Sequence, residues 1–311
     1  MEQRSLGRSG LKVSVVGLGC NNFGGRLDVE GSKAVIRKAL DLGITLFDTA
    51  DTYGNKGGSE SILGDYLGPE RDNIVLATKF GWEIGPSERG ASRRYILKAV
   101  RASLMRLKTD YIDLYQLHKP DPETPLEETL RTLNDLIRLG AVRYIGCSNM
   151  PAWQVVEAQW IAKSLGIEGF ISCQNEYSLL ERKVEEELLP AMRAYALGLL
   201  PYFPLASGLL TGKYQRGQPM PEGTRLSKSH QLANEFLTER NWRIVEALES
   251  FCQSRGHTLL ELAFSWLASN PTVSSVIAGA TRPEQVEQNV TAINWKINTE
   301  DLMVIQNILN T

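Results

Sequence analysis

The chain reads as an α/β protein of the (β/α)8 TIM barrel class, with an N-terminal β-hairpin, a long loop on the C-terminal face and extra helices. Three observations predict this. Short apolar runs recur eight times, at residues 13–18, 45–47, 74–77, 111–117, 142–145, 170–173, 199–202 and 273–278. Their near-continuous apolar character fits parallel strands covered on both faces. Amphipathic segments of helix length separate most of them, and glycines such as Gly43, Gly140, Gly166 and Gly198 stand just before the next run. Strand, helix, glycine, strand, repeated, makes βαβ units with right-handed crossovers, and eight such units close into a barrel. A length of 311 residues is filled by one barrel domain spanning residues 1–311.

Taken in order, residues 1–12 precede the first barrel strand. Glycines bracket a turn in Ser5-Leu6-Gly7-Arg8-Ser9-Gly10-Leu11-Lys12, so a short hairpin is expected there, placed to plug the N-terminal end of the barrel. After the first run comes Gly17-Leu18-Gly19, which invites a doubly wound open sheet. The dinucleotide fingerprint of that fold then needs a glycine at position 22, and the residue is Asn22. Ser92 is expected to open a helix whose buried face carries Ile96, Val100, Leu104 and Leu107. Thr124-Pro125-Leu126-Glu127 matches a capping box with proline at the first helical position. Leu126, Leu130, Leu133 and Ile137 then share one helix face, and Gly140 ends it. Residues 206–256 are too long for an ordinary βα connection. They hold a Gly/Pro-rich stretch over 212–229 and then an extra helix ending near Arg255, and we read them as a clamp over a ligand.

Composition narrows the function classes. Hydrophobic residues make up 42% and charged ones 23%, with a formal net charge of −2. That balance suggests neither a nucleic-acid nor a membrane partner. No apolar run approaches the roughly 20 residues of a membrane span, and no signal-peptide pattern opens the chain. Cys20, Cys147, Cys173 and Cys252 lack a C-x-x-C spacing and read as reduced, mostly buried thiols of a cytoplasmic protein.

Catalytic residues of such barrels lie at the C-terminal ends of strands. The second run ends in Asp48, with Tyr53 five residues on, the third in Lys79 and the fourth in His118. The fifth delivers Ser148 and Asn149, the sixth Gln174 and Asn175, the seventh Tyr202 and the eighth Gly279 to Arg282. Singly, each has a plain structural reading. Asp48 could cap a turn, and a lone histidine is more often structural than catalytic. Together, Asp48, Tyr53, Lys79 and His118 form a chemical set. A phenol titrates near pH 10, and a neighbouring ammonium lowers that value. Lys79 can act so on Tyr53, Asp48 can hold Lys79 charged, and His118 can hydrogen-bond a carbonyl. Tyrosine then protonates an oxyanion formed by hydride attack, and a nicotinamide cofactor must bring the hydride.

These residues resemble the aldo-keto reductase superfamily over nearly the whole chain. Phe47-Asp48-Thr49-Ala50-Asp51-Thr52-Tyr53-Gly54 is similar to its first signature. Ala77-Thr78-Lys79 is similar to its lysine motif and Asp113-Leu114-Tyr115-Gln116-Leu117-His118 to its histidine motif. Arg143-Tyr144-Ile145-Gly146-Cys147-Ser148-Asn149 is similar to the site for the nicotinamide amide. The resemblance implies a catalytic set of Asp48, Tyr53, Lys79 and His118, with NADPH as cofactor and a small-molecule carbonyl as substrate. It implies that Ser148, Asn149 and Gln174 hold the carboxamide and that Tyr202 stacks on the ring. The stretch from Pro204 to Tyr214, with Leu205, Ser207, Gly208 and Lys213, resembles the pyrophosphate loop. Gly279, Thr281, Arg282, Gln285, Gln288 and Asn289 resemble the adenosine end, where Thr281 or Arg282 would meet a 2′-phosphate and Arg225 a second phosphate. Asn22, Phe23, Tyr53, Trp82 and His118 are expected to wall the substrate pocket.

The wording is nearest the branch that includes bacterial stress-type reductases and potassium-channel β subunits. Phe203 stands where serine is frequent, Lys119 where other branches carry tryptophan, and Cys20-Asn21-Asn22-Phe23 departs in detail. Two rival readings stay open. One is a redox-sensing, nucleotide-binding regulatory subunit with little turnover. The other is a metal-dependent hydrolase, which His118, His230 and His257 serve poorly for want of ligand spacing.

Overall fold

The computed structural model describes residues 1–311. Strands β1 (Gln3–Ser5) and β2 (Lys12–Ser14) pair antiparallel as the expected hairpin. Eight parallel strands follow: β3 (Val16–Gly19), β4 (Leu46–Asp48), β5 (Val75–Phe80), β6 (Ile112–Leu117), β7 (Val142–Ser148), β8 (Ser172–Glu176), β9 (Gly198–Tyr202) and β10 (Val276–Gly279). Each pairs with its sequence neighbour, and β10 returns to β3. The seam between β9 and β10 is joined where the Leu199 N–H donates to the Thr272 carbonyl at 2.7 Å and the Ser274 N–H to the Leu199 carbonyl at 2.9 Å. The strands thus form a nearly closed (β/α)8 barrel.

Helices α1 (Val29–Asp41), α2 (Tyr53–Tyr66), α3 (Arg93–Leu107), α4 (Leu126–Arg138), α5 (Ala152–Leu165) and α6 (Leu188–Tyr195) alternate with the strands. The long connection after β9 holds α7 (Arg225–Lys228), α8 (His230–Phe236), α9 (Glu239–Ser254) and α10 (Leu259–Ser269). The chain ends with α11 (Pro283–Thr291) and α12 (Thr299–Leu309). No helix is long and apolar enough to cross a membrane.

The first apolar run is two elements, not one. The chain bends at Val15 because Ser14 is bound sideways: its N–H meets the Thr45 hydroxyl at 2.9 Å, and its own hydroxyl donates to the Val16 carbonyl at 2.7 Å. Residues before the bend pair in the hairpin and residues after it enter the barrel. Leu6 and Val13 of the hairpin region are wholly buried, and they join Leu46, Val75, Ala77, Leu114, Leu200 and Ile277 in one small core. That core is the plugged N-terminal half of the barrel interior. A larger core fills the layer between strands and helices.

Two local expectations are corrected. The capping box at Thr124 does not form, because Pro125, with an extended ψ of 130°, stands at the cap and the helix begins one residue later than the box requires; the Thr124 hydroxyl donates to the Asp121 carboxylate at 2.7 Å. A capping box forms instead at Thr258 and Glu261 of α10. Gly198, expected between helix and strand, is the first residue of β9 itself, and Ala196, at φ 53°, is the left-handed residue that ends α6. Gly198 is small because a Cβ there would lie 2.5 Å from Ser274 Oγ. Ser92 caps α3 as expected, accepting from the Tyr95 N–H, and Gly140, at φ 74°, follows α4.

Candidate active site

Alternate strand residues share a face, and the inward rows explain the site. On β5 the row runs Val75, Ala77, Lys79, and on β6 it runs Leu114, Gln116 and, just past the strand, His118. On β4 it runs Leu46, Asp48 and on β9 Leu200, Tyr202. Each row is apolar where the hairpin plugs the barrel and polar at the C-terminal mouth. The chain therefore buries its polar side chains in one ring.

Within that ring Lys79 Nζ donates to Asp48 Oδ2 at 2.6 Å and to the Thr49 carbonyl at 2.8 Å, with the lysine wholly buried. Asp48 Oδ1 accepts from Gln174 Nε2 at 2.8 Å and from Gln116 Nε2 at 3.2 Å. Every formal charge at the root of the site is thus paired and hydrogen-bonded, as burial demands. Lys79 Nζ lies 5.0 Å from the centroid of the Tyr53 ring, and the His118 ring meets Tyr53 edge-on at 5.9 Å.

The net effect on Tyr53 differs from the sequence expectation. Burial pushes its phenol above the ordinary value, and Lys79, acting through its charge and its contact with the phenol, pulls the other way. Desolvation outweighs the ammonium, so the phenol keeps its proton at neutral pH. His118 is forced down to about 3, first by burial and then by the charges of Lys79 and Lys119. It stands neutral throughout the physiological range. Lys79 itself is held above the ordinary lysine value: burial opposes its charge, but Asp48 and Tyr53 prevail.

Tyr53 is aimed by an unusual turn. Gly54, Asn55, Lys56 and Gly57 all take positive φ at the start of α2. Such a run is disfavoured for residues with a Cβ, by roughly 1–2 kcal/mol each. Gly54 has no alternative, since a Cβ there would sit 2.4 Å from the Phe23 carbonyl.

Beside this ring lies a dense polar group. Ser148 Oγ donates to the Gln174 carbonyl at 2.8 Å, and Tyr202 donates its hydroxyl to Asn149 Oδ1 at 2.8 Å. Asn149 Nδ2 donates to the His118 carbonyl at 2.9 Å and to Ser148 Oγ at 3.1 Å. Both amide protons of Asn149 are thereby used within the protein. Gln174 spends its Nε2 on Asp48, while its side-chain Oε1 meets no protein donor.

The mouth opens into one cleft of about 1290 Å³. Asp48, Ser148, Asn149, Gln174, Tyr202, Pro204, Leu205, Ser207, Gly208, Lys213, Arg225, Gly279, Thr281, Arg282, Gln285, Gln288 and Asn289 all line it. Asn22, Tyr53, Trp82 and His118 line it as well. Phe23 does not: its side chain is wholly buried in the core behind the wall, so the expectation that it faces a substrate is corrected. Lys79 stands beneath the wall rather than on it.

At one end the cleft is built for anions. Ala206, Ser207 and Gly208 have successive positive φ values, which turns that stretch of backbone into a concave cradle. A Cβ on Gly208 would meet Lys213 Nζ at 2.8 Å. Ser207 Oγ is buried with no hydrogen-bond partner. Arg26, Lys213, Arg225 and Arg282 crowd the same region, and their mutual repulsion helps burial depress Lys213 and Arg225. None of the four has a carboxylate within 4.0 Å, in a chain with ion pairs elsewhere. The residues therefore fit a dinucleotide with its phosphates. Arg26 was not visible as a site residue in the sequence, where it is one arginine in a turn. Gln116 was legible in principle, being two residues before His118 on an inward row. The metal-hydrolase reading finds no support, as no group of three or more His, Cys, Asp or Glu converges to hold a metal. All four cysteines are buried and free.

One buried acid lies outside this chemistry. Asp51 is 1% exposed, neither carboxylate oxygen has a hydrogen-bond partner, and burial and then Glu60 push it up to about 7. In the unfolded chain it titrates near about 3.9. The fold therefore holds a proton that the unfolded chain has already released, and stability falls as pH rises through that window. Asp51→Asn should flatten the decline of Tm between about pH 4 and 7; an unchanged slope in a thermal-melt series assigns the decline to other groups.

A buried Lys–Asp pair stands beneath a tyrosine and a neutral histidine at the mouth of a (β/α)8 barrel, and the comparisons with known proteins place the chain among oxidoreductases. The Aldo/keto reductase family model matches residues 15–310, and the chain belongs to that family. It is 42% identical to a "Probable voltage-gated potassium channel subunit beta" of Oryza sativa subsp. japonica, covering 94% of this chain and 92% of that protein. It is 37% identical to "Uncharacterized oxidoreductase YrpG" of Bacillus subtilis, over 99% and 96% of the two chains. It is 36% identical to "L-glyceraldehyde 3-phosphate reductase" of Escherichia coli O157:H7, over 98% and 91%.

Proposed function

We propose that this chain reduces aldehydes or ketones with NADPH and that Tyr53 is the general acid. One observation carries the reading: a wholly buried ammonium, Lys79, is paired to Asp48 at 2.6 Å directly beneath the only phenol that faces both His118 and the cleft. When bound, the nicotinamide cofactor supplies the hydride. The residues of this chain do the rest. Neutral His118 keeps an N–H to orient the carbonyl oxygen. Tyr53 Oη holds the proton until negative charge develops on that oxygen, and Lys79 stabilises the phenolate left behind. Asp48, fixed by Gln116 and Gln174, keeps Lys79 aimed. Tyr202, tied to Asn149, offers a ring as a platform in the cleft. Lys213, Arg225 and Arg26 attract the phosphates.

Preference for NADP over NAD is assigned to Arg282, which adjoins the N-terminus of α11 without a carboxylate partner. Thr281 serves less directly, for its N–H and hydroxyl both donate to Gln285 Oε1, at 2.7 and 3.1 Å. Arg282→Ala should raise KM for NADPH about tenfold or more, the scale of one charge-assisted bond, and leave KM for NADH nearly unchanged. An equal rise for both coenzymes, in steady-state assays, removes this role.

The substrate is a small carbonyl compound held near Asn22, Trp82 and His118. Four free buried thiols fit a reducing compartment, and we place the protein in the cytoplasm. The names of the plant relatives point to a channel subunit, but no observation in the cleft favours sensing over turnover. The test is NADPH oxidation with a panel of aldehydes. Turnover dependent on the aldehyde is expected; tight NADPH binding with no aldehyde reduced would transfer the case to the redox-sensing regulatory subunit.

A further inference from the structure

Lys119 is a cation without a counter-charge beside Trp82 and His118 in the cleft. It follows His118 directly, lines the cleft, and is partly buried. Its Nζ lies 4.8 Å from the centroid of the Trp82 ring, and that ring is 5.5 Å from the His118 ring. The acids on the surrounding loops are engaged elsewhere. Asp121 accepts from the Ala91 N–H at 2.7 Å, the Glu123 N–H at 3.0 Å and the Thr124 hydroxyl at 2.7 Å. Glu83 and Glu123 both face Arg89, at 3.7 and 3.6 Å. No carboxylate comes within the 4.0 Å of an ion pair with Lys119, and its ammonium makes no hydrogen bond within the protein.

This lysine is also separate from the basic end of the cleft. The charges acting on Lys213 are those of Arg26 and Arg282, and Lys119 is not among those acting on Lys213 or Arg225. It acts on His118 instead. An aromatic face covers one side of the ammonium, which strips part of its hydration and leaves the other side for a ligand. An unpaired, half-desolvated cation beside the group that orients the carbonyl would be a poor neighbour for a purely apolar substrate.

We propose that the substrate carries a carboxylate or phosphate on the part remote from its carbonyl, and that Lys119, backed by Trp82, selects it. The proposal rests on the reductase reading and narrows its substrate class to anionic carbonyl compounds. Carboxylate and phosphate share the chemistry that Lys119 recognises, and the test separates them.

Two measurements on the full chain decide the matter. In the first, which needs no turnover, Trp82 emission is titrated with propionate and with glycerol 3-phosphate, against propanamide and glycerol as neutral controls, with Trp82→Phe assigning the signal. Saturable quenching by at least one anion and none by the neutral controls is expected. K119M should weaken that anion about tenfold, the scale of one partly desolvated ion pair, and K119R should retain it. Equal response to charged and neutral ligands, or unchanged anion binding in K119M, overturns the proposal. In the second, kcat and KM are compared for succinic semialdehyde, glyceraldehyde 3-phosphate and butanal. K119M should raise KM for the favoured anionic aldehyde at least tenfold more than for butanal, and K119R should restore it. Parallel changes for charged and neutral aldehydes defeat the assignment. If no aldehyde is reduced, the reductase reading falls, while the binding titration still reports on Lys119.

Discussion

Tyr53→Phe is expected to lower kcat for aldehyde reduction by about 10²–10⁴-fold, the range that a positioned proton donor supplies, while NADPH still binds. Phenylalanine keeps the ring against His118 and removes only the hydroxyl that carries the proton. Cofactor binding and single-turnover kinetics separate the two effects, and turnover close to that of the wild type removes Tyr53 from the central role. The pH profile of the unaltered protein offers a companion reading. His118, held near about 3, adds no break in reduction rate between about pH 5 and 8. Tyr53 is raised by burial, so its proton stays available through neutrality and is lost only at alkaline pH, where reduction should fail.

Lys79→Met is expected to be costly twice. It removes the ammonium that opposes burial at Tyr53, and it strands the Asp48 carboxylate, 3% exposed, with only Gln116 and Gln174 as donors. Breaking a buried pair from one side costs about 3–5 kcal/mol, so calorimetry should show a clear fall in Tm along with loss of turnover. The double variant D48N/K79M distinguishes the contributions. Removing both charges should recover much of the stability and none of the catalysis. Recovery of turnover in the double variant would show that the pair matters only to folding.

The barrel was legible because strand and helix periods are local properties. Eight apolar runs, and glycines between helix and strand, are read residue by residue. The polar ring at the mouth was legible for a related reason: a strand that is apolar at its start and polar at its end, such as Val75 to Lys79, announces which end is the mouth. What was misread depended on contacts between distant residues. Ser14 breaks the first run because Thr45, far along the chain, takes its N–H. Phe23 adjoins Asn22 in sequence, yet the turn sends one into the core and the other to the cleft wall. Thr124 faces Asp121 rather than its own helix.

The sequence by itself determined the period of the strands, and it supplied the four candidate side chains Asp48, Tyr53, Lys79 and His118 with their order along the chain. Only the tertiary structure decided the acidity of Tyr53, Lys79 and His118. The sign of the shift at Tyr53 is a contest between lost hydration and a neighbouring ammonium, and burial, which no linear reading measures, prevails. The same holds for the cations: Lys119 and Arg26 are unremarkable letters in the chain. They become candidate binding groups only because folding leaves no carboxylate within 4.0 Å of either while bringing both to the cleft.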